Sequence, residues 1–315
     1  MGVLDIDHDN LVVKKDIVKD RVVYTIDNFY KYPNAVIQLY HKFQQQIPMD
    51  DQSRFCGSRL DLRELFSEGV VDEHVKNLQT LLVTHGFDES KFVTPNEEEE
   101  LFAKGENKSA VLLSKFVKQT GFDKPLKISG KGSMANPHAD GTPQTTTTNK
   151  LAGVCYLSKD IHGGTAIYRN KEMDVYNVGP KFTEKIAHHI CQKFELEGVK
   201  SSEEQANMIG EIYKDWFLKL YPRESSQGFM NETNEDFEML HFFPMKFNRI
   251  VVYDSDLLHS MYVKDADFFD THERLTANYF MQQIWEEVDS DVLKRHQRML
   301  KVATKYNPKL NAILF

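Results

Sequence analysis

The chain has 315 residues, 41% hydrophobic and 27% charged, enough for one large domain or two ordinary ones with a substantial core. Its formal net charge of −8 lacks the basic footprint of a nucleic-acid binder and weakly opposes a polyanionic substrate. No apolar run approaches a membrane span, Met1 to Asp20 holds no signal-peptide core, and three widely spaced cysteines (Cys56, Cys155, Cys191) fit the reduced thiols of a cytoplasmic protein.

Arg21 to Ile26 alternates and is β-branched, which predicts a strand. Between Asn34 and Gln46, Val36, Leu39, Tyr40 and Phe43 fall at helical spacing. Val71, Val75, Leu78 and Leu82 mark a second amphipathic helix, stopped near Gly86. The four acids Glu97 to Glu100 read as a solvated loop or a helix start. Ser109 to Thr120 reads as a third helix ending at Gly121. Residues 1–124 are thus expected to be a mostly helical support with one early strand.

From Leu126 the pattern changes. Leu126 to Ser129, Lys150 to Leu157, Thr165 to Tyr168, Phe247 to Tyr253 and Arg274 to Gln282 are short β-rich segments broken by Gly, Pro and Asn. Short strands without crossover helices favour an antiparallel sandwich or barrel over a parallel sheet. Lys181 to Phe194 and Ser202 to Tyr221 show helical periodicity, so 179–240 reads as a helical insertion between two parts of a β core, 125–178 and 241–284. A C-terminal helix is expected over Asp289 to Tyr306, within 285–315. All of this reads as one domain, with the insertion and the N-terminal helices as candidates to cover the mouth of the core.

One constellation carries chemistry. In an extended chain His138 and Asp140 point to the same side, and Pro137 biases Asn136 towards extension. Asn248 to His259 supplies an apolar strand, a polar turn and then a histidine. Two histidines and one carboxylate on one face of Fe(II) leave positions open for substrates and dioxygen. Farther on, Arg274, Thr276, Asn278 and Phe280 share one strand face. An inward arginine needs an anion, either a protein acid or a dicarboxylate co-substrate that it can grip with two parallel hydrogen bonds. Tyr156 shares a face with Val154 and Ala152, and its phenol suits either a core position or a hydrogen bond to the same carboxylate. Gly163-Gly164 reads as a tight bend, Arg169 as a surface or anion-binding arginine, and His272 as a loop residue. His162, His188, His189, His241 and His296 have no partner at ligand spacing.

Pro137-His-Ala-Asp140, Val154-Cys-Tyr-Leu-Ser158, Gly163-Gly-Thr-Ala-Ile-Tyr168, Phe247 to Asp256 with His259, and Arg274-Leu-Thr276 stand in an order that resembles the prolyl-hydroxylase-like branch of the 2-oxoglutarate/Fe(II) dioxygenases. The resemblance covers roughly 126–180 and 244–283. It implies a double-stranded β-helix, or jelly roll, with His138, Asp140 and His259 holding Fe(II). It implies that Arg274 grips the distal carboxylate of 2-oxoglutarate, with Thr276 and Tyr156 assisting. The implied reaction is hydroxylation of an unactivated C–H bond by dioxygen, releasing succinate and carbon dioxide. The expected substrate is a small molecule or peptide, an amino acid in either form. The insertion lengthens the interval between His138 and His259 beyond the family's usual spacing.

Two other readings stay open. A cupin-type metalloenzyme would use the same ligands without 2-oxoglutarate, and a non-catalytic jelly-roll module would use neither metal nor co-substrate. Oligomeric state is not legible.

Overall fold

The computed structural model describes residues 2–44, 57–103, 108–116, 137–140, 148–160, 163–197, 202–220, 232–263 and 274–284, with five further helical positions between 291 and 305. Within them ten strands form two antiparallel sheets. The large sheet contains β1 (Val12–Val18), β2 (Arg21–Asp27), β3 (Gly57–Asp61), β4 (Ala110–Phe116), β5 (Thr148–Tyr156), β8 (Arg249–Asp254) and β10 (Arg274–Ile284). Their spatial order is β1-β2-β8-β5-β10-β4-β3. The small sheet runs β7 (Phe237–Pro244), β6 (Gly164–Asn170), β9 (His259–Tyr262). Among the described residues the sheets are accompanied by α1 (Pro33–Phe43), α2 (Glu68–Thr84), α3 (Pro95–Ala103), α4 (Pro180–Glu197) and α5 (Ser202–Leu220).

The two-residue period of the strands sorts side chains into layers. β5 sends Leu151 and Cys155 to one face and Ala152 and Tyr156 to the other; β8 does the same with Ile250 and Val252 against Val251 and Tyr253. The first set packs with Val36 and Tyr40 of α1 and Val71, Leu78 and Leu82 of α2. The second set meets Ile167 of β6 and Phe243 of β7, joining the two sheets. The outer face of the small sheet, with Ala166 and Tyr168, packs on Ile186 and Ile190 of α4 and Ile209 and Tyr213 of α5. Each such fully buried aliphatic side chain contributes about 1.5–3 kcal/mol, so the helices are held by the sheets more than by their own propensity.

Local signals explain the helix ends. Gly86 (φ 88°) closes α2 in a left-handed conformation, with Phe87 N–H donating to the Leu82 carbonyl at 3.0 Å. The acidic run belongs to the start of α3. Thr94 N–H donates to Glu97 at 2.8 Å and Glu97 N–H to Thr94 Oγ1 at 3.4 Å, a reciprocal cap.

Three expectations are corrected. The segment read as a third helix from Ser109 is a strand where it is described, because β4 pairs with β10 over seven residues and with β3 over five. Its apolar run Val111-Leu-Leu113 suits either period, and tertiary pairing decides. The N-terminal region therefore contributes four strands as well as α1, α2 and α3, where one early strand was expected. The expected insertion does hold α4 and α5, but β7 already begins at Phe237. These helices, like α1 and α2, cover the outer sheet faces. Among the described residues none of them lines the cleft between the sheets. Leu126 to Ser129 lies outside the described residues, as does most of the expected C-terminal helix. No helix among the described residues is long and apolar enough to cross a membrane.

Candidate metal centre

The cleft between the sheets is built from the layer that faces inward. β9 follows β8 through a turn fixed by backbone bonds: Leu257 N–H donates to Asp254 O, and Leu258 N–H to Tyr176 O. This turn delivers His259 as the first residue of β9. The extended segment around His138 then docks beside it, each residue's N–H donating to the other's carbonyl at 2.8 Å. Two residues on, Asp140 N–H donates to Ser255 O at 2.9 Å. The i, i+2 rule thus sets both His138 and Asp140 on the side that faces His259.

Their donor atoms converge, with one ligand atom from each of the three lying within 4.8 Å of the others. Asp140 sits 3.7 Å from His138 Nε2 and 3.3 Å from His259 Nε2. His259 Nδ1 lies 2.8 Å from the Leu257 carbonyl, which fixes the tautomer and turns Nε2 to the centre. Burial alone would raise the Asp140 pKa, but the charge and hydrogen bond of His259, with His138 and Arg59, hold it at about 2. Burial would lower the His259 pKa, and Asp140 outweighs it and raises it. Two imidazole nitrogens and one ionised carboxylate oxygen form a donor set suited to a divalent transition metal with open positions.

Arg274 begins β10 and is 8% exposed. One of its terminal nitrogens donates to the Gly164 carbonyl at 3.3 Å, and its guanidinium carbon lies 5.6 Å from the Tyr156 ring centre. Its Nε is buried without a hydrogen-bond partner, and no carboxylate among the described residues pairs with it. Burial lowers its pKa, countered by Tyr156 and Tyr253, from a starting value high enough to keep the cation. The alternative of a buried salt bridge to a protein acid is therefore not what the described structure contains. Arg274, Thr276, Asn278 and Phe280 all line the cleft, as strand alternation requires. The space among these walls has a volume of about 70 Å³.

Thr276 Oγ1 lies 3.4 Å from the Ser114 carbonyl, and its side chain borders the cleft. Tyr156 is fully buried and stands behind the wall; its hydroxyl is 2.7 Å from Thr165 Oγ1, which itself faces the cleft. Tyr156 thus supports Arg274 and Thr165 rather than offering an open phenol. Arg169 bonds Glu238 at 2.8 Å and Asp174 at 2.6 Å, a surface cluster. His188 contacts Glu184, while the rings of His189 and His241 lie against Trp216 and Phe243. His162, His272 and His296 lie outside the described residues. Cys155 is a buried free thiol, Cys191 is partly exposed, and Cys56 is outside the described residues.

Sequence reasoning missed Arg59, Thr165 and Tyr253. Arg59 pairs in register with Ser114, which pairs with Thr276, so a row across β3, β4 and β10 faces the cleft. The misread strand β4 concealed that row. Tyr253 sets its ring 4.8 Å from that of His259, at an edge-on angle of 61°, and the alternation of β8 would have shown its inward face. The Gly163-Gly164 bend has a second task, since the Gly164 carbonyl holds Arg274.

No curated protein matches this chain. A family profile described as "Family of unknown function (DUF6445)" matches residues 216–281, a stretch that contains His259 and Arg274 and ends inside β10.

Proposed function

We propose that the chain is an Fe(II)- and 2-oxoglutarate-dependent oxygenase with a jelly-roll core, hydroxylating an unactivated C–H bond of a small molecule or peptide, with an amino acid as the favoured class. One observation carries this reading: three potential metal donors and a buried arginine with no carboxylate partner among the described residues face the same cleft. The donor set alone also suits zinc or a cupin-type metalloenzyme, and a guanidinium with no carboxylate partner among the described residues is what favours an anionic co-substrate.

His138, Asp140 and His259 would hold the metal, and Arg274 would receive the distal carboxylate, with Thr276 beside it on the same face. Tyr156 and Thr165 keep the guanidinium and the wall in place. Val154, Tyr253, Met261 and Phe280 line the cleft with apolar surface that excludes water from the reacting centre. Bound there, ferrous iron with 2-oxoglutarate and dioxygen supplies the oxidising power, with succinate and carbon dioxide released.

The test is an anaerobic titration of Fe(II)-loaded protein with 2-oxoglutarate, followed by visible spectroscopy. A keto acid-to-iron charge-transfer band is expected in wild type. It should vanish in His138→Ala and need far more 2-oxoglutarate in Arg274→Met. Bound iron without a band would overturn the co-substrate assignment and leave a cupin-type metalloenzyme. No metal binding at all would leave a binding module.

A further inference from the structure

β8 turns Val251 and Tyr253 towards the small sheet, and Tyr253 lines the cleft while only 1% exposed. Its ring packs edge-on against that of His259, their centres 4.8 Å apart. Its cross-strand partner on β5 is Ala152, another cleft-lining residue, whose methyl group leaves room beside the ring. Burial above all, and then the charge of Asp140, pushes the pKa of its phenol up, while Arg274 pulls it down. The hydroxyl therefore stands within the field of both ends of the site: the carboxylate among the potential metal donors, and the buried guanidinium.

A buried phenol normally has a hydrogen-bond partner. Tyr30 and Tyr279 bond each other, with His74 on Tyr279; Tyr40 bonds Ser58, and Tyr156 bonds Thr165. The Tyr253 hydroxyl makes no hydrogen bond to a described residue. Phenylalanine would pack on His259 equally well and leave no polar group to satisfy, so packing alone does not account for the hydroxyl. A phenol is a neutral donor near pH 7, and any ligand that joins the potential metal donors to Arg274 passes through the cleft that Tyr253 lines.

We propose that the Tyr253 hydroxyl donates a hydrogen bond to the metal-side, 2-oxo acid end of the co-substrate. The two ends are then held separately, this one by the metal and Tyr253, the distal carboxylate by Arg274. Contact of its ring with His259 is what places Tyr253 at the metal end. The donor serves the 2-oxo acid group itself, so a 2-oxo monocarboxylate without the distal group still uses it. This rests on the oxygenase reading above.

The test uses the full chain as wild type, Tyr253→Phe and Arg274→Met. Mn(II) affinity is measured first by calorimetry. It should change by less than about tenfold in either variant, the least that losing a partner which orients a metal ligand costs. Each protein is then loaded anaerobically with Fe(II) and titrated with 2-oxoglutarate and with 2-oxobutyrate, which lacks the distal carboxylate, reading the charge-transfer band. Tyr253→Phe should weaken both acids by the same factor, about tenfold or more, the scale of one hydrogen bond to a charged group. Arg274→Met should weaken 2-oxoglutarate alone. Tyr253→Phe binding both acids as tightly as wild type would overturn the proposal and leave the oxygenase reading intact. A loss confined to 2-oxoglutarate would overturn it by moving the hydroxyl to the distal end, and a collapse of Mn(II) affinity would overturn it by showing that Tyr253 acts only through His259. Absence of the band in wild type with either acid would overturn the oxygenase reading, and this proposal with it.

Discussion

His138 and His259 exchange both of their backbone hydrogen bonds, each N–H donating to the other's carbonyl at 2.8 Å, and their rings stand 4.6 Å apart. The main chain therefore brings the two imidazoles together without any help from their side chains. Asp140 follows from the same geometry, because its own N–H is tied to Ser255. A site assembled this way is preorganised, and its ligands can be removed singly without dismantling the strands that present them.

Removing one ligand should therefore separate metal binding from folding. His138→Ala should weaken Fe(II) or Mn(II) affinity by more than about 100-fold, beyond what loss of an outer-shell partner costs. Its metal-free stability should stay within about 1 kcal/mol of wild type, since the lost group is a partly exposed side chain, 16% accessible. Calorimetric metal titration beside urea unfolding checks both halves. A variant that loses metal only because it unfolds would contradict the backbone argument.

Arg274 should behave in the opposite way to an ordinary buried ion pair. Among the described residues its Nε has no partner and no carboxylate pairs with it, so Arg274→Met should leave the metal-free protein as stable as wild type or more so. In the presence of metal, 2-oxoglutarate affinity should fall by about 2–5 kcal/mol, the cost of deleting one partner of a buried charged contact. Arg274→Lys should recover little, because a point charge on a flexible stem does not reproduce the planar fork. Equal 2-oxoglutarate affinity in wild type and Arg274→Met would remove the co-substrate role.

How much of this was legible in the sequence follows from strand physics. The cleft face of β10 could be read from Arg274, Thr276, Asn278 and Phe280 because its eleven residues hold the alternation long enough to be unambiguous. β8 could be read from its β-branched run Ile250-Val-Val252, and β5 and β6 as short apolar segments bounded by Gly, Pro and Asn. β4 could not, since Val111-Leu-Leu113 followed by Ser and Lys satisfies a helical pattern as well, and only its two neighbours make it a strand. β3 is five residues long, carries no apolar alternation and, among the described residues, pairs only with β4, so Arg59 had no signal of its own. The three residues that could hold a metal needed no long pattern: a short extended segment and a histidine after a strong strand brought them to notice. The role of the Gly164 carbonyl was hidden because a backbone atom has no signature in sequence.

Gly164 gives a prediction that couples stability to binding. A Cβ there would lie 2.1 Å from the Phe243 carbonyl oxygen and 3.0 Å from Met245 N, both backbone atoms that cannot move aside cheaply. Gly164→Ala should destabilise the protein by about 1–3 kcal/mol through overpacking between β6 and β7. It should also weaken 2-oxoglutarate binding, because the carbonyl that holds Arg274 shifts with the strand. Unchanged affinity in a destabilised Gly164→Ala protein would show that Arg274 is held by Tyr156 alone.

The pH dependence of stability should report His74, which lies far in the chain from His138, Asp140 and His259. His74 is buried with its Nε2 2.8 Å from the Tyr279 hydroxyl and its ring stacked on Tyr30 at 5.8 Å. Burial lowers its pKa from 6.5 to about 4, against the opposing pull of Asp5 and the Leu4 backbone. As pH falls below 6.5, the unfolded chain takes up a proton that the folded chain refuses, so stability declines until about pH 4 and is then independent of this group. The loss runs at up to about 1.4 kcal/mol per pH unit, or roughly 3 kcal/mol in all. Asp27 acts in a separate window. Burial works against its ionisation, but Arg249 and Lys246 outweigh it and lower its pKa below 3.8, so its contribution is complete above that value and is lost as pH falls through the folded-state pKa. Urea unfolding at intervals from pH 7 to pH 3 should therefore show two separable slopes. His74→Gln should flatten the upper one and leave the lower one, and Asp27→Asn should do the reverse. A wild-type curve that stays flat between pH 6.5 and pH 4 would mean that His74 is protonated in the folded protein and that its contact with Tyr279 is made by an imidazolium.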